Sequence, residues 1–556
     1  MLTKLSGGTV YDPAHELNGV RKDLFIQDGR MVADPGSEAK PDQEFDLRGK
    51  VVMAGAIDLH THIGGGKVNI ARAMLPEDHR DDVEARSEIL RSGTGNAVPS
   101  TWTTGYRYAQ LGYTAAFEPA MVPVNARHAH LEMADTPMVD TGAYAMLGSD
   151  DLLLRLLAEG ADQAVINDYV AWTLQATQAL GIKVVNPGGI SAFKFNQRSL
   201  DLDEENRHYR VTPRRILGSL TRALHELGVP HPLHVHGCNL GVPGNFATTL
   251  DTMGAAEGLP MHLTHIQFHS YGQEGDRKFS SAAVGIAEAV NRHPNITVDV
   301  GQVMFGQTVT ASGDTMRQYA NRHHAHPHKW MCMDIECEAG CGIVPFNYRD
   351  QNFVNALQWA IGLELFLLVD DPWRIYLTTD HPNGGLFTTY PHLIKLLMNR
   401  SYRNAMLEHI HPDAAAHSEL HGIKREYSLY EIAIMTRAGP ARILGLQDHG
   451  HLGPGALGDV VVYESDEDQE RMFATPSYVF RRGELVVRDG HVVKVVNGAT
   501  QAVHPEYDPA VEKRVEDYFD RYHSMHVRNF AVRESELSAD GQRSLVVQPT
   551  RSRGRA

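Results

Sequence analysis

The sequence predicts an α/β protein: a TIM-like (β/α)8 barrel with a small β-sandwich domain built from both termini. Three observations predict it. Apolar strand-like runs alternate with helical stretches over about residues 53–430, which implies a parallel sheet. Both ends of that region are β-rich. Metal-type side chains recur at the ends of the apolar runs, at spacings of about three, one, one and two repeats of roughly 30–40 residues, as a barrel of strand–helix units requires.

Residues 1–52 read as short strands broken by turns. Gly7–Asp12, Asp23–Val32 and Phe45–Val52 alternate apolar segments with Asp-Gly or Arg-Gly breaks. The same texture returns in 431–500, where Gly450–Tyr463 leads into Tyr478–Val493. Within the barrel region (53–430), Asp150–Glu159 and Pro213–Gly228 are helical by apolar period and by their flanking breakers. In 501–556, Val511, Val515, Tyr518, Phe519 and Tyr522 form a stripe at helical spacing. Beyond about 535 the polar composition predicts a mobile tail.

Composition bounds the function. The 556 residues carry a net charge of −16, so neither nucleic acid nor an anionic membrane is an expected partner. Four cysteines make no disulfide framework, and no run reaches the ~18 apolar residues of a membrane span. These features predict a cytoplasmic protein.

The chemistry starts at His60 and His62, which follow the apolar run Val51–Ile57. Side chains alternate along a strand, so the two imidazoles share a face. Further candidates follow: Lys194, His236, His265 and Asp380, each at the end of a β-prone run and falling on barrel strands 4, 5, 6 and 8. Functional residues of such barrels converge at the C-terminal ends of the strands. Imidazole nitrogen and carboxylate oxygen suit Zn²⁺. A lysine ammonium has no lone pair, but a buried Lys194 of lowered pKa could take up CO₂ as a carbamate and bridge two ions. Asp380 would then move the proton of an amide hydrolysis. His234 shares a face with His236 and is the alternative ligand there. The His-rich tract Asn321–His328 reads as a polar loop, and the spacing of Cys332, Cys337 and Cys341 misses the common iron–sulfur patterns.

The set of His60, His62, Lys194, His236, His265 and Asp380 resembles the amidohydrolase superfamily, which includes hydantoinases and dihydroorotases. Longer phrases, Lys183–Gly189, His236–Asn245, Thr264–Gly272, Thr379–Gly385 and Pro99–Tyr108, resemble the A subunits of formylmethanofuran dehydrogenases and of bacterial formyltransferase/hydrolase complexes. This resemblance implies two Zn²⁺ ions, one held by His60, His62, carboxylated Lys194 and Asp380, the other by the same lysine, His236 and His265. It implies cleavage of an N-formyl furfurylamine carrier, of methanofuran or methylofuran type, to formate and free carrier. It also implies assembly with other subunits, including a formyltransferase, in the formaldehyde oxidation of a methylotroph. The alternatives are the same subunit in a dehydrogenase of CO₂ fixation, or a cyclic amidohydrolase. Tyr106, Arg107 and Asn239 are expected to bind the carrier from their motif positions.

Overall fold

The computed structural model describes residues 1–36, 38–80, 82–189, 200–312, 331–334, 340–537 and 543–552, with backbone alone for 311–312, 331–334 and 340–342. Lys194, the His-rich tract and Cys337 lie outside the described residues.

Eight short parallel strands form the centre. They are strand 1 (Ala56–Asp58), strand 2 (Tyr113–Met121), strand 3 (Asp140–Met146), strand 4 (Gly181–Val185), strand 5 (Leu233–His236), strand 6 (Met261–Leu263), strand 7 (Ile296–Asp299) and strand 8 (Ile375–Tyr376). Each pairs in parallel with the next in sequence order. A parallel bridge between Thr61 and His381 joins the extensions of strands 1 and 8. Nearly every strand residue is buried, as expected when helices cover the outside and side chains fill the inside.

The helices form where the sequence says they should. Pro213–Leu227 opens with Thr212, whose hydroxyl accepts from the Arg215 amide, and with proline at its first position. It stops at Gly228, whose φ of 65° suits a residue without a Cβ. The Asp151–Ala158 helix is capped by Asp150, which accepts from the Leu153 amide. The apolar helix Phe353–Leu368 buries Glu364, which accepts from the hydroxyls of Ser281 and Ser418. Among the described residues no helix is long and apolar enough to cross a membrane.

Both termini contribute to one nine-stranded sheet, in which Lys50–Ala54 pairs antiparallel with Val460–Glu464. The pairing describes one sheet, not the two layers of the expected sandwich. Its alternation is strict. Val52, Ala54, Val460 and Val462 enter a core of their own, whereas Val51, Met53, Val461 and Tyr463 face the barrel core.

The tail expected to be mobile is partly structured. Leu545–Gln548 pairs in parallel with Thr500–Val503, which in turn pairs with strand 3. Arg543 is buried there and donates to the Thr500 and Thr141 hydroxyls and the Ala499 carbonyl. Polar composition concealed a four-residue strand whose entropy cost is met by these pairings.

A buried ionic cluster ties this barrel to the terminal sheet. Asp140 of strand 3 accepts from Arg481 at 3.0 Å, from His449 at 2.8 Å and from the Ala499 amide at 2.6 Å. Burial would depress His449, but its hydrogen bonds to Asp140 and Asp448 overcome this and raise it to about 9. A group raised from about 6.5 in the unfolded chain stabilises the fold fully below that pH, and the contribution fades as pH rises through 9. We therefore expect stability to fall by about 3 kcal/mol between pH 6.5 and 10. His449→Gln should flatten that slope in thermal melts; an unchanged slope would mean that another group sets it.

Candidate metal centre

The sequence-predicted ligands sit at the C-terminal mouth of the barrel. His60 and His62 follow strand 1, His236 ends strand 5, His265 lies two residues past strand 6, and Asp380 lies beyond strand 8. All five are buried. The Nε2 atoms of His60 and His62 lie 2.9 and 3.4 Å from the same Asp380 oxygen, Oδ1. The His265 ring centroid is 5.6 Å from that of His60 and 4.6 Å from that of His236. His60, His62 and Asp380 each place a ligand atom within 4.8 Å of the other two.

Backbone geometry puts them there. His265 and Asp380 both adopt left-handed conformations, with φ of 37° and 51°. Gly301, at φ 62°, threads between them: a Cβ there would meet the His265 Cβ at 2.3 Å and the Asp380 Cβ at 3.4 Å. Such strain is concentrated where side chains must be aimed.

Tautomers follow from the partners. His62 Nδ1 lies 2.9 Å from Glu118 Oε1, and an ionised carboxylate only accepts, so Nδ1 carries the proton. In the neutral ring, Nε2 then presents a lone pair toward the Asp380 carboxylate. Two facing acceptors need a proton or a metal ion between them: burial would lower the His62 pKa, but Glu118 and Asp380 raise it, so the metal-free ring can take a proton, and a metal ion can replace that proton among these donors. Glu118 is itself fixed by the Ile63, Gly64 and Ala120 amides. Such a carboxylate behind a ligating histidine sets its orientation and basicity. Glu118→Gln should weaken metal affinity about 10- to 100-fold, read by metal titration, since an amide can donate to Nδ1 and move the proton to Nε2.

Burial would raise Asp380, but the neighbouring His60 and His62 hold it well below the usual carboxylate range. His265 is held well below the ordinary imidazole value by burial first, then by His236 and Lys183.

Sequence reasoning missed several residues here. Lys183 lies within strand 4, is fully enclosed, and is registered with His234 on strand 5. Registered neighbours share a face, and His234 reaches His60 Nδ1 at 2.8 Å inside the barrel, so Lys183 also points inward. Burial lowers its pKa to about 8, partly opposed by Asp380 and Asp299. A lysine in the apolar run Gly181–Val185 was the available signal, as was the carboxylate of Glu118 inside Tyr113–Met121. His234 is not beside His236 at the mouth but one layer deeper. It joins His231 at 3.0 Å and His60, beside a His262–Asp299 pair at 3.0 Å. His60, His234 and Asp299 also cluster within 4.8 Å, but His262 and the His265 amide already occupy Asp299, so this group reads as support for His60.

The residues expected to bind the carrier are engaged within the chain. Tyr106 accepts from the Arg91 amide, and Arg107 donates to the Gly95 and Asp82 carbonyls, so both brace the 82–95 segment. Asn239, at φ 61°, donates to Asp201 and Thr248 just beyond His236.

The Amidohydrolase family matches residues 43–494. The chain belongs to the amidohydrolase family. This amidohydrolase is 44% identical to the A component of the formyltransferase/hydrolase complex Fhc of Methylorubrum extorquens, over 96% of each chain. It is 41% identical to Protein FwdA of Methanocaldococcus jannaschii, over 98% of this chain and 99% of that one. Its structure aligns with a TM-score of 0.92, over 99% of this chain and 100% of the other, with a chain in the crystal structure of the M. extorquens formyltransferase/hydrolase complex FhcABCD bound to methylofuran.

Proposed function

We propose that this amidohydrolase is the hydrolytic subunit of a formyltransferase/hydrolase complex and cleaves an N-formylated furfurylamine carrier of methylofuran type, releasing formate and the free amine in one-carbon metabolism. The observation that carries the reading is the gathering of His60, His62, His236, His265 and Asp380 at one barrel mouth, with Lys183 pointing inward from the layer below, in the field of Asp380. Full-length similarity to a component of such a complex supports the substrate and partners.

The donor set suits two divalent ions, best Zn²⁺. His60, His62 and Asp380 would hold one, and His236 and His265 the other. The anion between them would come from Lys183, which points inward from strand 4; Lys194, the lysine expected from the sequence, lies outside the described residues. The enclosed amine of Lys183, depressed to about 8, has a free-base fraction at neutral pH roughly 300-fold that of an ordinary lysine and can take up CO₂ as a carbamate. Ions held there would supply Lewis acidity and make water nucleophilic near neutral pH. The chain's own work is proton management. Asp380 accepts the proton released as water adds to the formyl carbon and returns it to the carrier nitrogen as the C–N bond breaks. Asn383 steadies that carboxylate, its side-chain amide donating to Oδ1 at 2.9 Å.

The test is formate release by the metal-loaded complex from a formylated furfurylamine, beside dihydroorotate and hydantoin. Turnover of the formamide alone is expected; turnover of a cyclic amide instead would replace the reading with a dihydroorotase-like one. The similarity to FwdA fits the same hydrolytic step serving a different complex.

A further inference from the structure

His269 ends the short helical turn that begins after His265, and it is 2% exposed. Both its ring nitrogens are buried without a hydrogen-bond partner. Its ring stacks on His265 at 5.4 Å between centroids, with planes 20° apart, and meets the His236 ring at 5.4 Å, nearly edge-on. A neutral imidazole carries one donor and one acceptor, and leaving both unmade in a desolvated site is costly. Native structures keep such groups where something outside the chain completes them.

Two occupants could do so. One is a metal ion shared with His236 and His265. The geometry disfavours it: among the described residues, no choice of one nitrogen from each of these three rings places all three within 4.8 Å. The other is the substrate, whose formamide offers an N–H and a C=O, either of which can pair with one imidazole nitrogen. We propose that His269 is a substrate-binding residue that hydrogen-bonds the formamide group of the carrier beside the metal ligands. This rests on the function proposed above.

The experiment uses the metal-loaded complex and a formylated furfurylamine, with metal content, thermal melting, kcat and KM measured on each variant. His269→Phe keeps a ring of similar size and removes two unpartnered polar atoms. It should bind the normal metal complement and melt no lower than the wild type, while kcat/KM falls about 10- to 100-fold, chiefly through KM. His269→Gln, which restores a donor and an acceptor, should recover part of the loss. Should the phenylalanine chain not assemble, His269→Leu carries the same expectation. A kcat/KM within twofold of wild type overturns the proposal, and so does loss of metal with the ring, which would make His269 a ligand. If the wild type itself releases no formate, the functional reading fails first and takes this inference with it.

Discussion

Lys183→Ala should lower formate release on the order of 10³-fold and reduce the bound metal from two ions per chain to one or fewer, whereas Lys194→Ala should stay within a few-fold of wild type. The expectation for Lys183 follows from its position. Lys183 projects from strand 4 into the barrel, in register with His234 and in the field of Asp380 and Asp299. An ammonium enclosed there repels the same cations that the histidines are arranged to hold. A carbamate would reverse that sign and offer an anionic ligand to ions held by His60 and His62 and by His236 and His265. Without the side chain, that ligand would be lost to both positions. Metal analysis, together with a ¹³C signal for the carbamate after exposure to labelled CO₂, checks the assignment. A larger loss in Lys194→Ala than in Lys183→Ala would return the bridging role to Lys194.

Asp380→Asn should leave the chain folded and lower kcat on the order of 10³-fold. The asparagine can still engage the Asn383 amide, but it has no basic oxygen. It can neither hold a proton between steps nor deliver one to the leaving amine. The carboxylate is ready for this task because His60 and His62 keep it ionised in spite of complete burial. The expected signature is a fall in kcat with little change in KM, since the lost interaction belongs to the transition state. Metal content must be measured on the same sample, because Asp380 also faces both Nε2 atoms. If kcat stays within tenfold while both ions remain bound, the proton is carried by another group.

Much of the site was legible because strand periodicity and barrel order are local and repetitive. His60 and His62 share a face by alternation. His236, His265 and Asp380 were placed by counting strand–helix units, and the eight parallel strands put them at one rim. Glu118 and Asp299 were not read, since a single carboxylate in an apolar run looks the same whether it caps a loop or backs a histidine. Asp299 acquires its role only when His262 and the His265 amide reach it from strand 6. The strand-4 lysine is a related case. Lys183 and Lys194 both lie near strand 4 in sequence; the register against strand 5 turns Lys183 inward, and Lys194 lies outside the described residues.

The sequence alone determined the alternation of strands and helices, the pairing of both termini as β-rich segments, and the residue types that can hold divalent ions. Those properties are carried by nearest neighbours along the chain. Tertiary structure decided which side chains face one another: Lys183 beside the carboxylates, His234 beneath His60, His269 without a partner among the metal-site rings. Such contacts join residues tens to hundreds of positions apart, and only the closed ring of strands fixes their distances and their tautomers.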